Sequence, residues 1–267
     1  MRLLSTLLIA ALAVGAVAAQ PAPKRKKLLI IAETKGYTHD SISHASATLE
    51  RLGKESGLWD TYIRTDSQLV TKKKLTGNAK NLDYFDAIAF FSTGELPLDD
   101  SQKADLLSFV KDDGKGFIAM HTGGDCLYNW ADYGDLVGGY FDQHPWNTFD
   151  APVMVEDRTS NITKQFPPSF VINDEIYQYK NYSRENLHVL LRLDPAKLDL
   201  KNPRVHRTDG DFAVAWVKKY GKGRVFATTL GHKEEVYDRP DIQQMYREAI
   251  KWTMGLSETD TTPKPLK

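Results

Sequence analysis

Short apolar runs, each followed by a polar loop, punctuate the first half of the chain. Leu28–Ala32 is an unbroken apolar stretch, which predicts a strand buried on both faces. In Ser41–Ser56 the apolar residues Ile42, Ala45, Leu49 and Leu52 recur at helical spacing, and Gly57 suits the helix end. Trp59–Thr65 alternates as a strand, and Asp86–Phe91 and Phe117–Met120 are two further buried strands. Between these two, Asp99 or Asp100 caps a helix that runs to Lys111 and stops at Gly114. Residues 28–120 therefore predict β-α-β-(α)-β-α-β, an α/β fold with a parallel sheet and helices on both faces, flavodoxin-like or Rossmann-like.

Beyond residue 130 the pattern changes. Aromatics, Pro and Asn become frequent, with short strand candidates at Pro152–Val155, Phe170–Ile172 and His188–Leu193. This region reads as an aromatic-rich elaboration over the C-terminal edge of the sheet. Phe212–Lys218 and Gly223–Thr229 predict a hairpin around Tyr220–Gly223, and Ile242–Met254 a closing helix with Pro240 near its start. At the other end, a positive start, an apolar stretch over Leu3–Val17 and small residues to Ala19 match a cleavable secretory signal. The expected organisation is a signal over 1–19, a linker over 20–26, one domain over 27–256 and a disordered tail over 257–267. The expected location is secreted or periplasmic, with no stable membrane insertion once the signal is removed.

Composition narrows the function class. The 267 residues carry a formal charge of zero and are 41% hydrophobic, so one large domain with a packed core is expected. No basic run interleaved with aromatics points to nucleic acid. The Lys24–Lys27 cluster reads as a solvated lead-in, and a homo-oligomer is compatible with this composition. A single cysteine, Cys126, excludes an internal disulfide and lies six residues past Met120, too far for a strand-end nucleophile. The first strand–helix turn lacks the G-x-G-x-x-G fingerprint, and no P-loop is present.

Chemistry concentrates after the strands, where parallel α/β sheets place their sites. His39 follows the first strand, His121 with Thr122, Gly123, Gly124 and Asp125 follows the fourth, and His232 follows the last. His144 lies in the elaboration. Imidazoles shuttle protons or ligate metals near neutral pH. His121, His144 and His232 with a carboxylate such as Glu175 have the donor types for a zinc or other divalent site. No pair has i, i+4 spacing, so no metal ligand is assigned and a divalent metal remains only a candidate cofactor. Asp174, Glu175 and Tyr177, with Tyr179 and Tyr182, combine carboxylates and rings as carbohydrate sites do. The same tyrosines could equally pack inward. Trp130, Tyr133, Tyr140, Phe141 and Trp146 read mainly as the elaboration's small core.

Across 27–255 the chain resembles the trehalose-utilisation (ThuA-like) family. The resemblance is carried by GYTHDS (36–41), LDYFDAIAFF (82–91), GKGFIAMHTGGD (114–125), LVGGYFDQHP (136–145), NDEIY (173–177), FAVAWVKKYGKGRVFATTLGH (212–232) and REAIKWTMG (247–255). It implies a class I glutamine amidotransferase-like fold and a link to the catabolism of disaccharides through keto-sugars. Amidotransferases of that superfamily place a nucleophilic Cys where this chain has His121, so Cys-dependent amide chemistry is not expected.

The resulting expectation is an exported enzyme acting on a disaccharide or keto-sugar derivative by His and carboxylate acid–base chemistry. His121, His232, Glu175 and His39 are the expected catalytic residues. Asp125, His144, Tyr177, Thr122 and Gly123 are expected to bind substrate. The alternatives are a non-catalytic carbohydrate-binding protein and a metal-dependent hydrolase.

Overall fold

The computed structural model describes residues 24–266. The expected signal and the start of the expected linker lie outside the described residues. A nine-stranded mixed sheet organises the chain. Its parallel half comprises β1 (Lys26–Ile31), β2 (Trp59–Arg64), β3 (Ala87–Phe90), β4 (Gly116–Met120) and, from much later in the sequence, β11 (Gly223–Thr228). These lie in the order β2-β1-β3-β4-β11 and all pair in parallel. The sheet then continues through four antiparallel pairings to β10 (Ala213–Tyr220), β9 (His188–Leu193), β6 (Thr148–Val155) and the edge strand β7 (Ser169–Glu175). The elaboration thus does not sit as a separate cap. Its long strands extend the sheet, and only β5 (Tyr140–Gln143) and β8 (Gln178–Lys180) stand apart as a two-stranded ribbon.

Continuous apolar runs produce this sheet because strand side chains alternate between faces, and both faces are covered. Leu28, Ile30, Ala89, Ile118 and Met120 join one core, while Leu29, Ile31, Phe90, Phe117 and Ala119 join the other. The first core is roofed by α1 (Ser41–Ser56), α4 (Glu234–Asp238) and α5 (Pro240–Thr253), and the second by α2 (Asp100–Lys111) and α3 (Ala131–Val137). α1 ends at Gly57 in the left-handed conformation that glycine adopts without penalty. α2 starts in a capping box, with Asp99 accepting from the Gln102 amide and Gln102 reaching back to Asp99. Among the described residues no helix is long and apolar enough to cross a membrane.

A partly buried ionic knot ties the antiparallel half together. Arg184 grips Glu156 through two hydrogen bonds of 2.7 and 2.8 Å and also bonds both oxygens of Asp211, while Arg192 reaches Glu156 at 2.7 Å. The polar tail, expected to be disordered, instead meets β9 at Thr262 and lies 3.9 Å from Asp157 at Lys264. The reason is His188, fully buried on β9, each of whose ring nitrogens needs a partner. One faces Asp157 at 2.9 Å and the other meets the Thr262 carbonyl at 2.7 Å. Asp157 is buried, which alone would raise it, but Thr159, His188 and the Ser160 amide hold its carboxyl below the ordinary carboxylate range.

Two expectations follow. Arg184→Ala leaves the buried Asp211 without a guanidinium, while Arg192 still pairs with Glu156, and should cost about 3 kcal/mol; urea unfolding that shows no loss would contradict this. Because Asp157 is depressed in the folded state, its stabilisation is complete above the unfolded value and is lost as pH falls through the folded one. Asp157→Asn should therefore destabilise near pH 7 and converge on the wild type well below about pH 4, as read by thermal melts across that range.

Candidate active site

Three strand-end loops and the end of the edge strand β7 meet above the C-terminal ends of the parallel strands. The loop after β4 begins with His121, whose φ of +39° lies in a region that costs a non-glycine residue about 1 kcal/mol or more. The ring is held there from both sides. Nδ1 donates to the Thr229 carbonyl at 2.6 Å, just past the end of β11, the strand paired with β4. That leaves Nε2 as the acceptor, and it receives the Tyr177 hydroxyl at 2.8 Å, with the two rings stacked 4.4 Å apart. His121 is 0% exposed. Burial first, and His39 second, push it well below the usual imidazole range, so it is neutral with its Nε2 lone pair turned to the Tyr177 hydroxyl.

His39, from the loop after β1, packs edge-on against both His121 (4.9 Å) and His232 (5.0 Å). Burial, and then the nearby His232, lower it to about 4. His232 follows β11. Gly231, immediately before it, has φ +123°, and a Cβ there would stand 2.1 Å from the Tyr237 hydroxyl, so only glycine fits. The peptides flanking His232 are clamped by Asp174, which accepts from the Gly231 amide at 2.7 Å and the Lys233 amide at 3.2 Å. Ser41 at the start of α1 donates to the Gly231 carbonyl at 2.8 Å. Burial raises Asp174 to about 7 against the pull of these amides.

Glu175, next to Asp174 at the end of β7, is the carboxylate the imidazoles share. Its Oε2 lies 3.3 Å from His232 Nδ1 and 3.9 Å from His121 Nε2, and its Oε1 lies 3.4 Å from His144 Nδ1. Neither His232 Nδ1 nor His144 Nδ1 makes an aligned hydrogen bond to the carboxylate. Burial would raise Glu175, but His232, His144 and His39 together hold it below the ordinary range, while the carboxylate in turn raises His232.

Ligating atoms of His39, His121, Glu175 and His232 all lie within 4.8 Å of one another. Neutral imidazoles with one carboxylate are a donor set that suits zinc and other divalent cations. The sequence put His144 in such a set; the structure puts His39 there, with His144 beside it.

A pocket of about 400 Å³ opens over the cluster, lined by Tyr37, Asp125, Phe141, His144 and Tyr177 together with His39, Glu175 and His232. Asp125 is held by the Tyr128 hydroxyl and is raised by burial. Thr122 and Gly123, expected to bind substrate, do not line this pocket. Both are buried in the turn beneath His121, where a Cβ on Gly123 would come within 2.8 Å of Ala119 and of the Phe90 carbonyl. Cys126 is also buried, 3.3 Å from the Tyr133 hydroxyl, and desolvation pushes its thiol up to about 12. It stays protonated and unreactive. The clamp residue Asp174 was visible in the sequence only as a neighbour of Glu175; alternation along a strand is the one signal that separates the two roles.

A family model described as trehalose utilisation matches residues 27–253. The chain belongs to the ThuA family. Among solved structures, a ThuA-like protein from Bacteroides uniformis is 22% identical with a TM-score of 0.68, over 90% of this chain and 95% of that one. A second, from Parabacteroides merdae, is 15% identical with a TM-score of 0.67, over 90% and 94%. PurLQS from Thermotoga maritima shares the fold at 15% identity and a TM-score of 0.51, over 86% and 99%. No curated protein matches. The ThuA-family domain thus has the glutamine amidotransferase-like architecture that the sequence resemblance implied.

The clamp can be tested directly. Asp174→Ala strands two buried amides and should destabilise the protein by about 1–3 kcal/mol, whereas Asp174→Asn, which keeps an acceptor, should lose less. Equal stability of all three proteins in denaturant melts would remove Asp174 from this role.

Proposed function

We propose that this ThuA-family protein is a carbohydrate-converting enzyme acting on a disaccharide or keto-sugar derivative, with a divalent cation held by His39, His121, Glu175 and His232. The observation that carries this reading is the convergence of four donor atoms from three strand-end loops and an edge strand. Buried nitrogens on His39 and His232 without hydrogen-bond partners fit a cation, since native proteins rarely leave such atoms unpaired. A divalent cation bound there supplies Lewis-acid polarisation of a substrate oxygen.

The chain's own groups do the rest. A keto-sugar needs a base for the C–H beside its carbonyl and an acid for the oxygen that gains charge. His144 and Asp125 line the pocket outside the donor set and are placed to move that proton. Tyr177 and Phe141 form a rigid aromatic wall, their rings 4.5 Å apart, against which a sugar face can rest. The leader-like residues at the start of the chain support action outside the cytoplasm, secreted or periplasmic.

One observation favours a second reading, metal-free acid–base catalysis by Glu175 and His232. The Tyr177 hydroxyl already satisfies His121 Nε2 at 2.8 Å, so that nitrogen has a partner without a metal. Elemental analysis of the purified protein separates the two, combined with turnover of trehalose and its keto derivatives before and after chelation. The metal reading expects about one bound divalent ion, loss of both ion and turnover in His121→Ala, and retention of the ion in His144→Gln with turnover down about 10²–10⁴-fold. A metal-free sample that remains active establishes the second reading. Undiminished turnover in His121→Ala and His232→Ala overturns both.

A further inference from the structure

A second concavity adjoins the site. It is a groove of about 720 Å³ running along the first turns of α1, between that helix and the ends of β1 and β2. His39 lines both the groove and the pocket over the cluster, so the loop from Tyr37 to Asp40 is the sill between them. The groove therefore belongs to the same strand-end rim where α/β proteins bind ligands.

Three features of the groove lack a structural explanation. Glu33, at the end of β1, is only 6% exposed, and its Oε2 has no hydrogen-bond partner, while its Oε1 pairs with Lys35 at 3.1 Å. A buried carboxylate oxygen left unpaired is costly and asks for a donor. Ile63 is 42% exposed in the groove, and Tyr37 is 66% exposed on the sill. Both border the cleft, Ile63 in the groove and Tyr37 in the adjoining pocket. The Tyr37 segment is nevertheless well fixed, because Thr93 Oγ1 donates to the Tyr37 carbonyl at 2.9 Å and accepts from the Gly36 amide at 3.2 Å.

We infer that this groove is a second subsite, which takes the uncharged, polyhydroxylated part of the substrate that extends past His39. The inference rests on the carbohydrate reading above. An apolar floor of Ala32, Ile42 and Ile63 suits the C–H face of a sugar ring, and Glu33, Thr34 and Thr38 on the opposite rim meet its hydroxyls. Tyr37 carries the ligand across the sill by stacking. The charge of the lining decides which sugars enter. Of the lining carboxylates, Glu33 pairs with Lys35 and Glu50 with Lys54, which leaves Asp40 as the excess charge, so an anionic substituent is repelled. The groove selects free sugars over phosphorylated ones.

Ser43 and Ala47 sit one turn apart on the exposed side of α1 and line the groove without entering the core. Ala47→Trp fills the groove while leaving the helix packing intact, which circular dichroism and thermal melts verify. The test measures binding of trehalose, glucose and trehalose 6-phosphate to the full domain by saturation-transfer NMR titration. Trehalose should bind the wild type about tenfold or more tightly than either of the others, and Ala47→Trp should remove that advantage while leaving glucose unchanged. An unchanged trehalose affinity in Ala47→Trp, or an equal loss for glucose, overturns the second subsite. Trehalose 6-phosphate binding as tightly as trehalose overturns its charge selection. If neither trehalose nor glucose binds the wild type, the carbohydrate reading itself fails, and the subsite with it.

Discussion

The parallel pairing of β11 with β4 is the constraint on which the site depends. Thr228 lies opposite Met120, so both strands end at the same level. The next carbonyl, that of Thr229, then falls where it can take the His121 Nδ1 proton, and His232 follows three residues later. This one register fixes the tautomer of His121, holds its unfavourable backbone angle and brings two imidazoles from distant parts of the chain into contact. β11 reaches that place only because the chain returns through β9 and β10 to enter the parallel half of the sheet beside β4.

The electrostatics of the cluster follow from how deeply each group is set. His121 and His39 are the most deeply buried of the imidazoles, and desolvation dominates both, so they stay neutral. His232 is more open and lies beside Glu175, so charge attraction outweighs burial there. Glu175 shows the same contest with the opposite outcome for a carboxylate, since several imidazoles overcome its burial. Imidazole nitrogens and one ionised oxygen thus share a small volume, and the proposed cation and proton chemistry rests on that arrangement.

Much of this was legible in the chain. The apolar runs at 28–32, 86–91 and 117–120 located buried strands because two covered faces leave no polar alternation to confuse the pattern. The span of α1 was read correctly from its periodicity and from Gly57, and the strand-end rule located His39, His121 and His232. The extension of the sheet by β6, β7 and β9 was not legible, because strand neighbours are chosen by long-range packing. α3 and α4, of seven and five residues, are too short to leave a periodic signature. The place of His39 in the donor set and the burial of Thr122 and Gly123 depend on side-chain direction in loops, which spacing does not encode. The docking of the tail was hidden for a similar reason. It answers the needs of a histidine some seventy residues away, 74 by count from His188 to Thr262.

The position of Glu175 has a further consequence. Among the described residues, the shared carboxylate ends an outermost strand, β7, whose backbone pairs with a strand only on the β6 side of the sheet. Boundary strands open locally at a lower free energy than interior ones. His121 and His232 are anchored after the central strands β4 and β11 while their counter-charge rides on the periphery. Fraying of that margin would therefore disarm the chemistry while the rest of the molecule stayed folded, making competence at the centre a local property rather than a measure of global stability.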